Sequence, residues 1–413
     1  MAQRYLVLDR VVEASDLNDL QKTLAEAHRR KDKAFCLCRK GIELPLYIAR
    51  RFEKFVVARW PGSGAGHATD CDHFDAPDDL TGLAQVRGAA VIDDSESGET
   101  ALKVGFPLTR GPARCAPSAL TNDKPVVKST GQKLTMRGLL HYLWDRAELT
   151  HWHPKMQDKR TWGVVRRALL EAAAVCKVKQ QGMSDVLFIP EVYRSDDARE
   201  WSARKRAALA RVKASPDNMM IVIGEVREIR EVDHEVKVII RYNGEESFDM
   251  DADMSRRFLK RFADEISLWR RKQNDGHLVM GASFCRRKTG LLDLIEVTVM
   301  PVTDTWLPFE SVQEEQLLNE AVARRRRFVK GMRVNLEKDV PIASIVLKDT
   351  GERATAVYLH DPEERVEDSL ANRMSFQGID HAIWVKGEDL PKPQRRAYYR
   401  REPVKQAEAG AAA

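Results

Sequence analysis

The sequence predicts an α+β protein of several domains, and three observations carry that reading. Stretches that alternate apolar and polar residues, the mark of half-buried strands, are separated by stretches with apolar residues three and four apart, the mark of helices. The chain has 413 residues, more than one hydrophobic core usually spans. Residues 109–132 carry Pro112, Pro117 and Pro125 among small polar residues and read as a linker. The resulting units are an N-terminal β module over 1–108, the linker 109–132, a helical unit over 133–215, a β-rich unit over 216–308, an α/β unit over 309–390, and a basic tail over 391–413, expected to be disordered.

In the first unit, Ser15 and Asp16 can cap a helix running through DLNDLQKTLAEAHRRKDK. FCLCRKGIELPLYIARRFEKFVVARWPGSG then reads as a β-hairpin, and QVRGAAVID and TALKVGFPL flank a turn. In the helical unit, LTMRGLLHYLWDRAEL puts Leu139, Leu140, Leu143 and Trp144 on one face. A second helix covers Thr161 to Ala174, VLFIPEVY reads as a strand, and AREWSARKRAALARVKA reads as an exposed basic helix. This order fits a winged-helix-like unit. MMIVIGEVREI with EVKVIIRY, and HLVMGASF with LIEVTVMPV, make the next unit β-rich, with the helix SRRFLKRFADEISLWRRK between the pairs. The last unit starts with the helix SVQEEQLLNEAVARRRRFVK. Strands IASIVLKD and RATAVYLH follow around Thr350-Gly351, then a helix over 363–375 and the strand AIWV.

Hydrophobic residues make up 43% and charged residues 31%, a globular balance that excludes a wholly disordered chain. There is no apolar run of about 18 residues, so no membrane helix is expected. The opening MAQRYLVLDRVV lacks a secretory pattern, so a soluble, cytoplasmic location is expected. In that setting the six cysteines point to metal or reactive thiols rather than to disulfides.

Cys36, Cys38, His67 and Cys71 form the strongest motif. Zinc takes four thiolate or imidazole ligands in a tetrahedron. Cys36-Leu37-Cys38 offers two thiolates from one tight segment, and His67 and Cys71 lie four apart after the turn PGSGAG. One hairpin can join the two pairs, stapling the N-terminal module with Zn²⁺. His73 is an alternative to His67. Three thiolates and one imidazole fill the shell, which makes the ion structural.

The formal net charge is +6, and its distribution suggests DNA or RNA as a partner. Arg324, Arg325, Arg326 and Arg327 with Lys330 and Arg333 form the densest basic run, read as a phosphate-contacting ridge at a helix end. Lys159, Arg160, Arg166 and Arg167, and Arg270, Arg271 and Lys272, repeat the theme, as does Arg204-Lys205-Arg206. The interleaved Trp152, Trp162 and Trp201 are read as core residues. Asp233, Glu235 and Lys237 in VDHEVKV are the only trace of a metal-dependent nuclease element, three common residue types on an alternating strand. His141, Tyr142, His151 and His153 form a His-rich patch without metal-ligand spacing. Cys115, Cys176 and Cys285 have no activating partner in the sequence.

The series FCLCRKG, LYIARR, ARWPGSGAGHATDC, KLTMRGLLHYLWDRAEL, KRTWGVVRRALLEAA, VLFIPE, IGEVREI, WLPFES and RRFVKGMRVNL resembles the bacterial proteins grouped as domain of unknown function 1173, over about residues 30 to 393. The resemblance implies a setting on plasmids and integrative conjugative elements and names no activity. The last unit also looks like the end of a nuclease-like fold common in mobile-element proteins. Its matching strand is Ala343 to Thr350, where Ser344 stands in place of the metal-binding aspartate. The second strand offers Val357, Tyr358, Leu359 and His360 without a carboxylate, and Glu314 or Glu315 matches the helix acid. That unit is therefore expected to be a degenerate, inactive nuclease-like fold. The leading expectation is a non-catalytic nucleic-acid-binding accessory protein. The alternatives are a metal-dependent nuclease and a protein-interaction scaffold or inhibitor.

Overall fold

The computed structural model describes residues 3–51, 54–60, 62–94, 98–108, 131–213, 218–271, 276–337, 340, 342–360 and 378–394. Residues 109–130 of the expected linker, the helix over 363–375 and most of the basic tail thus lie outside the described residues, as does Lys272.

The N-terminal sheet is an antiparallel run of β1 (Arg4–Val7), β2 (Arg10–Glu13), β3 (Ala34–Arg39), β4 (Ile42–Arg51) and β5 (Lys54–Arg59), in the order β2-β1-β3-β4-β5. Helix α1 (Leu17–Arg29) starts where the Asp16 side chain accepts a hydrogen bond from the Asp19 amide. It buries Leu20, Thr23, Leu24 and Ala27, the spacing of one helical face. The module is thus larger than the expected hairpin.

After the short helix α2 (Asp78–Thr81) come β6 (Val91–Asp93) and β7 (Thr100–Leu102), paired as expected. Helix α3 (Met136–Arg146) is capped by Thr135, whose hydroxyl accepts from the Gly138 amide. Then follow β8 (His151–Trp152), α4 (Trp162–Ala174), β9 (Cys176–Val178), β10 (Gln181–Gly182), α5 (Met183–Val186), β11 (Leu187–Phe188) and α6 (Ala198–Ala210). The segment expected to be winged-helix-like distributes these short strands over three sheets. β9 and β10 extend the β7–β6 pair, β11 runs parallel to the next strand, and β8 joins the C-terminal sheet.

The β-rich unit consists of β12 (Met220–Val232), β13 (Glu235–Ile240), β14 (Ser247–Asp249), helices α7 (Ala252–Arg261) and α8 (Ala263–Arg270), β15 (Gly276–Arg286) and β16 (Leu292–Thr303). β12, β13, β14, β16 and β15 pair in that order, and β15 pairs back to β12, so the five strands close on themselves. β14 and β16 are parallel and the other four pairings are antiparallel. Strand β12 serves both halves: Met220–Glu225 pairs with β15 and Val226–Val232 with β13. Gly224 lies at the change-over, where a Cβ would come within 2.8 Å of the Ile240 side chain, and a bulge follows between Val226 and Glu228. Val222, Val238, Phe248, Met280, Phe284 and Val299 fill the interior together with Phe258 and Ile266 from α7 and α8.

The chain ends in α9 (Val312–Ala323), β17 (Phe328–Lys330), β18 (Ile345–Leu347), β19 (Ala354–Leu359) and β20 (Ile379–Trp384), in the sheet order β20-β19-β18-β17-β8. β17, β18 and β19 form an antiparallel meander, and β20 lies parallel to β19. Alternation along β18 decides what covers each face. Ile345 and Leu347 pack on Leu317 and Leu318 of α9, while Val346 packs with Tyr5, Leu24 and Leu46 of the N-terminal module. The hydrophobic clusters cross the unit limits drawn from sequence: one joins Leu83–Leu108, α3, α4, the outside of the barrel at Ile221 and Val302, and Val334. No described helix is long and apolar enough to cross a membrane.

Candidate metal centre

Strand β3 positions the first two ligands. In an extended strand, residues two apart face the same side, so Cys-x-Cys aims both thiols one way. A break in the β3–β4 register between Cys36 and Arg39 lets the two sulfurs converge. The loop after β5 supplies the other two. A single 3₁₀ turn at Gly64–Gly66 delivers His67, and Cys71 follows four residues later, with its amide donating to the Ala68 carbonyl. Gly64 is required there, because a Cβ would overlap the Cβ and backbone of Asp75.

The four ligand atoms lie within 4.8 Å of one another. Cys36 Sγ is 3.7 Å from Cys71 Sγ, and His67 Nδ1 is 3.5 Å from Cys38 Sγ and 3.7 Å from Cys71 Sγ. These separations are far beyond a disulfide bond, and Cys36, Cys38 and Cys71 are free thiols. Cys36, His67 and Cys71 are buried, and Cys38 is half-buried. Three thiols this close cannot all ionise unaided. Hydrogen bonds from Cys36 and Cys71 hold Cys38 low, while the same contacts push Cys71 up and Cys36 up to about 11. A bound cation removes that conflict, so the donor set fits a metal ion.

The surroundings supply donors to sulfur. Gln3 Nε2 donates to Cys71 Sγ at 3.2 Å, the Ala68 amide to Cys38 Sγ at 3.3 Å, and the His73 amide to Cys71 Sγ at 3.4 Å. Arg39 donates to the His67 carbonyl. His73, the alternative ligand in the sequence, is engaged elsewhere: its Nε2 meets the Tyr5 hydroxyl at 3.0 Å, and burial lowers it to about 4. His67 Nε2 is buried and finds no hydrogen-bond partner among the described residues, so packing against the His73 ring orients it.

Beneath the centre, the ligand loop is tied to the rest of the chain. Buried Lys348 donates to the carbonyls of Cys71 and Phe74, Thr69 donates to the Gly351 carbonyl, and Arg327 donates to the Asp70 carbonyl. Burial, then the Arg327 charge, lowers Lys348 to about 8. Arg59 pairs with Asp75 and Glu148, and Asp75 also faces His151 at 3.4 Å. Burial and the neighbouring Asp75 raise Asp145 to about 6. Sequence alone offered no signal for Gln3, Lys348, Arg59, Asp75 or Asp145, because their partners are remote in the chain.

The basic residues proposed as a ridge do not form one. Helix α9 stops at Ala323, and the arginines run on through a turn into β17. Arg326 is 2% exposed, with its guanidinium on the Asp349 carboxylate and the Pro391 carbonyl. Lys330 is 3% exposed and sits 2.9 Å from Glu314. Arg333 pairs with Glu310, and Arg324 with Glu320 and Asp389. Arg325 is exposed, and Arg327 is half-buried. In the other groups, Arg160 is turned inward onto the carbonyls of Leu149 and His151, and Arg166 onto that of Ile189. Lys159, Arg167, Arg270 and Arg271 are exposed. Trp152, Trp162 and Trp201 are buried, as core residues should be.

Asp233 lies in the two-residue turn between β12 and β13, with φ of 50°, not on a strand as its alternation suggested. Lys237 faces Asp249. His141 is buried with Nδ1 3.0 Å from the Arg333 carbonyl, and burial lowers it to about 3. Among the described residues, only Cys36, Cys38, His67 and Cys71 assemble as a group able to hold a metal.

The DUF1173 family, described as a protein of unknown function, matches residues 5–387. No curated protein and no solved structure matches the chain. From β1 to the turn after β20, the ligand quartet included, the chain belongs to the DUF1173 family.

Proposed function

We propose that the protein is a non-catalytic, cytoplasmic accessory protein of a plasmid or integrative conjugative element, that it binds DNA or RNA, and that Cys36, Cys38, His67 and Cys71 hold one structural zinc ion. The observation that carries the zinc assignment is the spacing of the ligand atoms. Zinc bonds of about 2.3 Å to sulfur and about 2.0 Å to nitrogen make tetrahedral edges of about 3.8 Å (S···S) and about 3.5 Å (S···N). The observed separations of 3.7, 3.5 and 3.7 Å fall close to these edges. Three thiolates and one imidazole complete the shell and leave no position for water or substrate, which supports a structural ion.

The C-terminal unit supports the non-catalytic part. A helix, a three-stranded meander and a fourth strand parallel to the third fit the degenerate nuclease-like reading. Ser344 precedes β18 where a metal-binding carboxylate is wanted, β19 carries Val357 and Leu359, and the helix acid Glu314 is neutralised by Lys330. The nucleic-acid part rests on the net charge of +6 and on the exposed Lys159, Arg167, Arg270, Arg271, Arg324 and Arg325. The plasmid setting rests on the family resemblance. Fluorescence anisotropy with single-stranded and duplex DNA tests the binding. Affinity should fall steeply between about 50 and about 200 mM salt. Absence of binding to either form at low salt overturns it.

A further inference from the structure

The closed barrel and the basic helix α6 meet at a cavity remote in sequence from the metal ligands. The strand order and directions define the barrel type. A long first strand shared by both halves leads a three-stranded meander. A helical segment closes one end, and a hairpin follows whose second strand lies parallel to the third and whose first strand closes on the first. This is the arrangement of the five-stranded OB barrel, an architecture that binds oligonucleotides or oligosaccharides through its second and third strands and the loop between its fourth and fifth. Topology alone does not assign a ligand, so the surface must do so.

Most of this barrel's surface is covered. On the β12 and β15 side, Ile221, Ile223 and Val279 pack into the cluster that holds α3, and a Cβ on Gly281 would touch Leu140. α7 and α8 close one end with Phe258, Phe262 and Ile266. The β13–β14 face is open, but its charges cancel: Lys237 faces Asp249, and Arg287 at its edge pairs with Asp293. A cavity of about 570 Å³ lies between the end of α6, the end of β15 and the β13–β14 loop, lined by Arg206, Leu209, Val212, Lys213, Glu246 and Arg286. Its volume is within the range of small-ligand sites.

The cavity has a charge surplus and a fixed cation. Three cations line it against one carboxylate, and Glu246 is already engaged by Lys205 at 3.2 Å. Arg286 is held in place, donating from Nη1 to the Gly290 carbonyl at 3.0 Å and from Nη2 to the Leu209 carbonyl at 3.3 Å. Arg206 and Lys213 are exposed at the mouth, while Leu209 and Val212 are buried and form an apolar wall. An apolar wall beneath cations suits a planar base joined to a phosphate, and an uncharged oligosaccharide would not use those cations. A single unpaired nucleotide fits such a space, whereas a stacked duplex cannot enter it.

We propose that the barrel binds single-stranded nucleic acid, with one nucleotide in the cavity between α6, the end of β15 and the β13–β14 loop and its phosphates on Arg206 and Lys213. The proposal rests on the nucleic-acid reading above and gives it a site and a strand preference. The test uses the full chain and a fluorescein-labelled single strand of about 12 nucleotides, within the site size of such barrels, beside the same sequence as a duplex. The wild type should prefer the single strand by about tenfold or more. Arg206→Glu/Lys213→Glu, at two exposed positions, should keep the wild-type circular dichroism and melting. It should bind the single strand at least about tenfold more weakly, with a salt slope shallower by about 1.4, or about 0.7 per lost phosphate contact. Wild-type affinity for the single strand in that variant, or equal affinity of the wild type for both forms, overturns the barrel site and leaves the general reading standing. Binding of neither form by the wild type overturns both.

Discussion

Replacing Glu314 by Gln separates a buried structural pair from a remnant catalytic acid. Glu314 and Lys330 have side chains 9% and 4% exposed, and their charged atoms are 2.9 Å apart. At that distance the Coulomb attraction is about 6 kcal/mol for an effective dielectric near 20. Much of it is offset by desolvation of both ions, so the pair as a whole adds little to stability. Removing one partner is different, because it strands the other charge in the interior at a cost of about 3–5 kcal/mol. Glu314 also accepts the Glu310 amide at 2.7 Å, a bond the glutamine can keep through its carbonyl oxygen. The loss therefore comes from the charge. A chain with several hydrophobic clusters need not unfold in one step. The assay is accordingly native-state hydrogen exchange of the amides in α9, β17 and β18. Their exchange should quicken by about two to nearly four orders of magnitude where it follows opening of this unit. Lys330→Met/Glu314→Leu should restore most of the protection, since an apolar pair of similar volume carries no stranded charge. Unchanged protection in Glu314→Gln together with lost Mg²⁺ binding would refute the reasoning and overturn the inactive reading of the C-terminal unit.

Gly64→Ala should weaken metal binding without touching a ligand, because the added Cβ collides with Asp75 and displaces the turn that delivers His67; competition with a chromogenic chelator measures it, and unaltered affinity counts against the loop geometry. His73→Phe should keep a full equivalent of metal, since His73 faces Tyr5; loss of the metal would restore His73 as a ligand. Asp145, raised to about 6 by burial and by Asp75, binds its proton more tightly folded than unfolded. Its contribution is therefore favourable at low pH and lost as pH rises from about 4 through about 6. Asp145→Asn should gain stability relative to wild type over that window and hold the gain above it, read as the difference in melting temperature against pH. A difference independent of pH would remove Asp145 as the titrating group.

The metal quartet was legible in the sequence because its logic is mostly local: Cys-x-Cys on a strand, a glycine-rich turn, then His and Cys four apart. The four long strands of the β-rich unit and the helical stretch between them were legible for the same reason, whereas the short β14 and the break of that helix at Phe262 into α7 and α8 were not. Closure of the barrel was not. It depends on β15 returning to β12 and on β14 meeting β16, and neither pairing leaves a mark in local periodicity. The arginine run was misread because helical spacing continues past Ala323. Asp349, 23 residues beyond Arg326, is what withdraws that guanidinium from the surface. Likewise the expected unit limits follow composition, whereas Val346 and Tyr5 share one core across most of the chain.

The zinc ion proposed for Cys36, Cys38, His67 and Cys71 staples β3 to the loop after β5, which Thr69 and Lys348 in turn tie to the C-terminal unit. Native mass spectrometry of the full chain, with elemental analysis of the same sample, reads that ion. One zinc per chain that survives dialysis is expected. It should be absent from Cys71→Ser, and in that variant amide protection should fall in β3 and in the loop carrying His67 while the barrel strands stay protected. A metal-free wild type with a protected N-terminal sheet, or a Cys71→Ser variant that retains its zinc, would contradict the claim.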